Sequence, residues 1–271
     1  MLKTYKGFLW NRWFFWLFWL LLSTATAAGA EPPSSAKKTA SAAALTHILF
    51  VGNSYLYYND SLHGHVRRIA HELQPQLKGQ LSYKSATIGG AKLEHHNLPW
   101  LLNHHNLGLD KPFAAVILQG ASHETLSEKG RKRYKSVVAD YAKHVRASGA
   151  QPYLYMTPAY AASHRRAKTG QTQVIAQATA EAAAAAEVPM IPVGLAFAEA
   201  YKRRPEIRLH KHFDASHPTL AGTYLAACVT YLSLYGGNLG PLTYTYFGEI
   251  SPEMAAFLAK VAQDTVAQAV P

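Results

Sequence analysis

Asp214-Ala-Ser-His217-Pro218 puts an acid and an imidazole three residues apart on one short segment. There the carboxylate can hold one ring nitrogen while the other faces a hydroxyl, the base-plus-orienter arrangement that a serine nucleophile requires. The same letters also suit the polar start of a helix, with Ser216 or His217 capping. A candidate hydroxyl stands far upstream, in Gly52-Asn53-Ser54, directly after the apolar run His47–Val51. A serine on a strand-to-helix turn can present Oγ above a sheet and leave its own N–H free for an oxyanion. Read as a plain turn, Asn53 and Ser54 would instead serve local hydrogen bonds. Further donors are the amides of Gly89 and Gly90, where the missing Cβ allows a ligand close to the backbone, and the side-chain amide of Gln119. Their bland counterparts are an ordinary turn and a surface glutamine.

These groups can meet only if the chain brings distant segments to one edge. Short apolar runs recur at His47–Val51, Phe113–Leu118, Pro152–Met156 and Val188–Val193, with a weaker, alternating one at Leu81–Ala86. Runs of this kind suit strands buried on both faces of a parallel sheet. Between and after them lie segments of helical composition. Ser61–Leu73 opens behind Asn59-Asp60-Ser61 and stops before Pro75; Ser127–Ser148 and the Ala-rich Gln171–Glu187 follow. Pro218–Tyr235 reads as a helix with proline in its first turn and Gly236-Gly237 at its end, and Pro252–Ala269 as one capped by Ser251. This alternation predicts an α/β domain, a three-layer α/β/α sandwich with a mostly parallel sheet. In such sheets functional groups gather at the carboxyl ends of the strands, where all the candidates above would stand.

The conjunction resembles the SGNH/GDSL hydrolase superfamily, from Thr46 to about Tyr235. The blocks that carry the likeness are Ile48–Tyr55 (ILFVGNSY), Gly89–His96 (GGAKLEHH), Val116–Gln119 (VILQ) and Asp214–Ala227 (DASHPTLAGTYLAA). They look like a subgroup with GNS in the first block, LQ in the third and DxSHP in the last. The resemblance implies a flavodoxin-like fold with Ser54 as nucleophile, His217 as general base and Asp214 orienting it. It also implies an oxyanion hole built from the Ser54 N–H, a glycine N–H at Gly89 or Gly90, and a side-chain amide, assigned to Gln119. Asn53 replaces the usual aspartate of the first block, outside the triad. Gln119 stands in for the usual asparagine of the third block on one more methylene, with Ser122 and His123 close by as substitutes.

The implied activity is hydrolysis of a carboxylic ester through an acyl-enzyme, preferably a short acyl or acetyl group on a carbohydrate or similar polar substrate. An acyltransferase or lipid esterase on the same triad, or a non-catalytic glycan-binding envelope protein, are the competing readings. Tyr55, Tyr57 and Tyr58 wall an acyl or sugar pocket or else pack the core, and Tyr244 and Tyr246 stack on sugars or else pack in the same way. His95-His96 and His104-His105 are adjacent pairs whose rings diverge on most backbones, so neither a metal nor a cofactor is expected.

The 271 residues are 49% hydrophobic, which excludes a disordered chain, and Cys228 as lone cysteine excludes a disulfide scaffold. Lys3, Lys6 and Arg12 precede the apolar run Trp13–Leu22, and Ala28-Gly29-Ala30 follows as an A-x-A site. Residues 1–30 therefore read as a signal peptide, 31–44 as a Pro/Ser/Ala/Lys linker and 45–271 as the hydrolase domain. The apolar run is too short to span a bilayer, so a periplasmic or secreted protein is expected, an uncleaved anchor being the alternative. Cleavage takes the formal charge from +11 to +8, enough to steer an anionic partner such as a polysaccharide; nucleic acid is not expected of an exported chain. The oligomeric state is not legible.

Overall fold

The computed structural model describes residues 45–269; the expected signal peptide and linker lie outside them. Five strands, β1 (His47–Gly52), β2 (Ser82–Thr87), β3 (Ala115–Gln119), β4 (Gln151–Tyr155) and β5 (Met190–Ile191), form one sheet. Every pairing is parallel and the order is β2-β1-β3-β4-β5. Eight α-helices connect and cover the strands: α1 (Ser54–Tyr57), α2 (Leu62–Leu73), α3 (Leu98–Leu102), α4 (Glu128–Ala147), α5 (Gln171–Ala186), α6 (Val193–Arg203), α7 (Leu220–Tyr235) and α8 (Pro252–Ala269).

Strand periodicity divides the core into two faces. Ile48, Phe50 and Ile117 point to one side, against α2, α6, α7 and α8; Leu49, Val51, Val116 and Leu118 point to the other, against α3, α4 and α5. All seven are fully buried, as both faces of a parallel sheet require. Helix α7 is apolar all round and buried all round, because α8 covers the side turned away from the sheet.

The expected helices form within a residue or two, apart from the start of α7. There Pro218 stands outside the helix, pairing with His210 in an isolated bridge, and Thr219 caps α7 by accepting from the Gly222 N–H at 3.2 Å. The run Val188–Val193 yields a strand of only two residues, since Pro189 and Pro192 have no N–H to donate to a ladder. Its end becomes α6, a helix absent from the sequence reading. Asn59, Asp60 and Ser61 do not make a simple cap: all three are left-handed, with φ of 53°, 66° and 63°, and the Ser61 side chain makes no capping bond.

In a sheet of this order the chain reverses direction between β1 and β3, and the crevice above their carboxyl ends is where ligands sit. The end of β1 is tightly fitted. A Cβ on Gly52 would run into the Gln119 side chain and stand 2.7 Å from Leu56 Cδ1. Gly52→Ala is therefore expected to lower the urea midpoint by the equivalent of about 1–3 kcal/mol at unchanged slope.

Candidate active site

Ser54 is the first residue of α1, immediately beyond β1. Asn53 fixes this turn three ways: its N–H donates to Gln119 Oε1 at 2.9 Å, its Oδ1 accepts from the Tyr55 N–H at 3.2 Å, and its Nδ2 donates to Ala91 O at 2.9 Å. Ser54 is thus set in place by the backbone and side chain of Asn53.

The segment before α7 brings an imidazole and a carboxylate to Ser54. His217 Nε2 lies 2.7 Å from Ser54 Oγ, and His217 Nδ1 lies 2.5 Å from Asp214 Oδ2. A carboxylate can only accept, so Nδ1 carries the proton and Nε2 accepts from the serine hydroxyl. Asp214 Oδ1 accepts the N–H groups of Ser216 at 2.9 Å and His217 at 3.0 Å. Burial pushes the Asp214 carboxyl up, but the bonds from the His217 ring and these two amides outweigh it, leaving it ionised below the usual range. Ala215, between them, is held in the left-handed region at φ 52°, an unfavourable conformation fixed from two sides. Its N–H donates to Lys211 O at 2.8 Å and its carbonyl accepts from Ala161 N–H at 2.9 Å.

Aromatic rings brace the imidazole. Tyr58 stacks on His217 at 4.4 Å between centroids and 23° between planes, and Tyr55, 5.5 Å from the same ring, shares a 2.7 Å hydrogen bond with Ser216. Asn59 Nδ2 donates to Pro218 O at 2.9 Å, and its own carbonyl accepts from buried His65 at 2.7 Å. The left-handed turn after α1 therefore clamps the base-bearing loop. Neither the Tyr58 stack nor this clamp was read from the sequence; the cluster Tyr57-Tyr58-Asn59-Asp60-Ser61, beginning three residues after Ser54, was its only signal.

A cavity of about 350 Å³ opens over Ser54 and His217 and is lined also by Gly89, Gly90, Tyr57 and Ser122. Among the described residues, no hydrogen bond uses the backbone N–H of Ser54, Gly89 or Gly90. Gly90 turns the backbone at φ +69°. Gln119 is placed differently from the expectation. It is wholly buried; Oε1 takes the Asn53 N–H and Nε2 donates to Gly120 O and to Thr157 Oγ1, the latter at 3.3 Å, so no donor is left to face the cavity. Ser122 is the hydroxyl that the β3 loop does bring to the cavity. Buried Glu124 holds that loop by accepting the Ala121 N–H at 2.5 Å.

Tyr55, Tyr57 and Tyr58 all line the cavity. Tyr244 and Tyr246 do not: Tyr244 stacks on Tyr224, and Tyr246 on His65. Among the described residues no three His, Cys, Asp or Glu side chains converge as a ligand set.

Two outcomes follow. Gln119→Ala should cost about 1–3 kcal/mol of stability in urea unfolding by orphaning the buried Asn53 N–H. The second concerns His210, which pairs with Pro218 beside the triad loop and whose imidazole burial pushes down to about 4. An unfolded histidine titrates near ~6.5, so between these values the unfolded state binds more protons. Stability is therefore full above the upper value, falls as pH drops through the window and levels off below it. Urea unfolding at pH 7 and pH 4.5 should show a loss of which about 2–3 kcal/mol disappears in His210→Gln.

No protein-family model and no curated protein matches the chain. Solved structures do. A Slackia heliotrinireducens protein described as an SGNH hydrolase is 25% identical over 70% of this chain and 98% of its own, with a TM-score of 0.56. A DUF4886 family protein from Bacteroides uniformis superposes at 0.65, covering 82% of this chain and 94% of its own at 18% identity. An acetyl xylan esterase superposes at 0.53, with 15% identity over 68% of this chain and 98% of its own. The chain has the fold of the SGNH/GDSL hydrolase superfamily.

Proposed function

We propose that the protein is a carboxylic ester hydrolase that works through a Ser54 acyl-enzyme. The observation that carries this reading is the continuous chain Ser54–His217–Asp214 at the floor of an open cavity, with hydrogen bonds of 2.7 and 2.5 Å. As Ser54 Oγ attacks the ester carbonyl, its proton passes to His217 Nε2. The imidazolium so formed is stabilised by ionised Asp214 and by the face of Tyr58. The carbonyl oxygen, now negative, is received by the N–H groups of Ser54 and Gly89 or Gly90, with Ser122 as third donor in place of Gln119. His217 returns the proton to the departing alcohol, and water repeats the sequence on the acyl-enzyme. An open cavity lined by tyrosine and serine hydroxyls suits a short acyl group on a polar alcohol, such as an acetylated sugar, better than a long apolar chain. Two similar folds, the acetyl xylan esterase and an acetyl-xylooligosaccharide esterase, are named for such substrates.

With p-nitrophenyl acetate, Ser54→Ala and His217→Ala should each lower kcat by several orders of magnitude. The double variant should lose little more, because the pair acts as one unit. Asp214→Asn should cost less than either, through loss of the preferred tautomer. Ser122→Ala should lower kcat by roughly 10²-fold if it is the third donor. A serine-directed phosphonate should add to Ser54 and to no other residue. Full activity in Ser54→Ala would refute the reading.

A further inference from the structure

A second cavity lies beside the catalytic one, and a cation forms part of both walls. Arg166 lines the cavity over Ser54 and also a neighbouring cavity of about 380 Å³, whose other lining includes Arg165, Lys168, Leu126 and Val174. No aspartate or glutamate lines either. Arg68, Arg133, Arg203 and Arg204 each hold a carboxylate, whereas among the described residues Arg165, Arg166 and Lys168 hold none.

These cations are carried by an ordered segment. The Tyr160 N–H donates to Gln171 Oε1 at 3.3 Å, Gln171 Nε2 donates to Arg166 O at 3.0 Å, and the Arg166 N–H donates to His164 Nδ1 at 3.0 Å. Tyr160 stacks on His164 at 3.9 Å and shares a 2.8 Å hydrogen bond with Ser122, tying the segment to the catalytic rim. Its charge is felt by neighbours. His164 is held below its ordinary range by burial and then by Arg165 and Arg166, and His123 by burial and then by Arg166 and Lys92. Three like charges around one hollow repel each other, and an anion in the hollow offsets that repulsion. The planar fork of a guanidinium matches a carboxylate in particular.

We propose that this second cavity is a subsite for a carboxylate on the non-reacting part of the ester, so that the substrate is an acylated acidic glycan. The proposal rests on the esterase reading and narrows its substrate. The test compares kcat/KM of the purified full-length chain on an O-acetylated neutral xylo-oligosaccharide, an O-acetylated oligouronate and an O-acetylated sugar phosphate. Calorimetric binding of the unacetylated oligouronate is measured in parallel. The oligouronate should be preferred over the neutral ester by about tenfold or more, through KM, and the preference should collapse as NaCl rises to about 0.5 M. The triple variant Arg165→Gln, Arg166→Gln, Lys168→Gln should erase both the preference and the binding. Should that variant not fold, the salt dependence of the unaltered protein decides alone. Equal rates on neutral and acidic esters, a preference indifferent to salt, or a preference for the phosphate would overturn the proposal. If no ester is turned over, the esterase reading has failed, and the binding arm still judges the subsite: salt-sensitive binding supports it and none overturns it.

Discussion

The bond from the Asn53 N–H to Gln119 Oε1 holds together the two strand ends on which the site is built. Parallel strands diverge beyond their last ladder bond, and here the divergence falls between β1 and β3, where the crevice opens. A glutamine with no exposure, satisfied at both ends of its amide, closes the floor of that crevice and sets where Asn53 stops and Ser54 begins. Gly52 has no side chain because Gln119 occupies the space. Ser54 and the start of the β3 loop take their positions from this one buried tie, and Asn53 Nδ2 extends it to Ala91 O beyond the glycine turn after β2.

The second fixed point is the loop from His210 to Thr219, which reaches Ser54 from the far end of the chain. It forms no regular element, yet each turn of it is held: by the bridge to Pro218, by Asn59 from the turn after α1, and by Ala161 from the loop after β4. Rigidity of this kind is what lets an imidazole keep hydrogen-bond distance to a serine before any substrate arrives.

The Ser54, Asp214 and His217 letters and all five strands, β5 being shorter than expected, could be read because their signals are local. A serine after an apolar run, an acid three residues before a histidine, and runs of buried residues depend on nearest neighbours alone. Gln119 was misplaced for the opposite reason. Its position at the end of β3 was legible, but whether its amide faced the cavity or the floor depended on an unpaired N–H across the sheet. For Tyr244 and Tyr246 the sequence left both readings open, since a tyrosine that stacks on a sugar and one that stacks on Tyr224 or His65 look identical in it. Arg165, Arg166 and Lys168 drew no notice as scattered basic residues; only the folded loop sets them around one hollow.

Helix α7 is the most deeply buried helix of the fold, yet it enters the chain after every strand. During synthesis the sheet can be complete while the layer over Ile48, Phe50 and Ile117 holds only α2 and α6 and still lacks α7 and α8. Such a half-covered parallel sheet is a sticky intermediate, one that chaperones or rapid elongation must shield. His217, which meets Ser54 Oγ, lies three residues before this same helix. A ribosome-bound fragment ending before α7 therefore already carries Ser54, Asp214 and His217, but not the two helices that complete the layer over Ile48, Phe50 and Ile117.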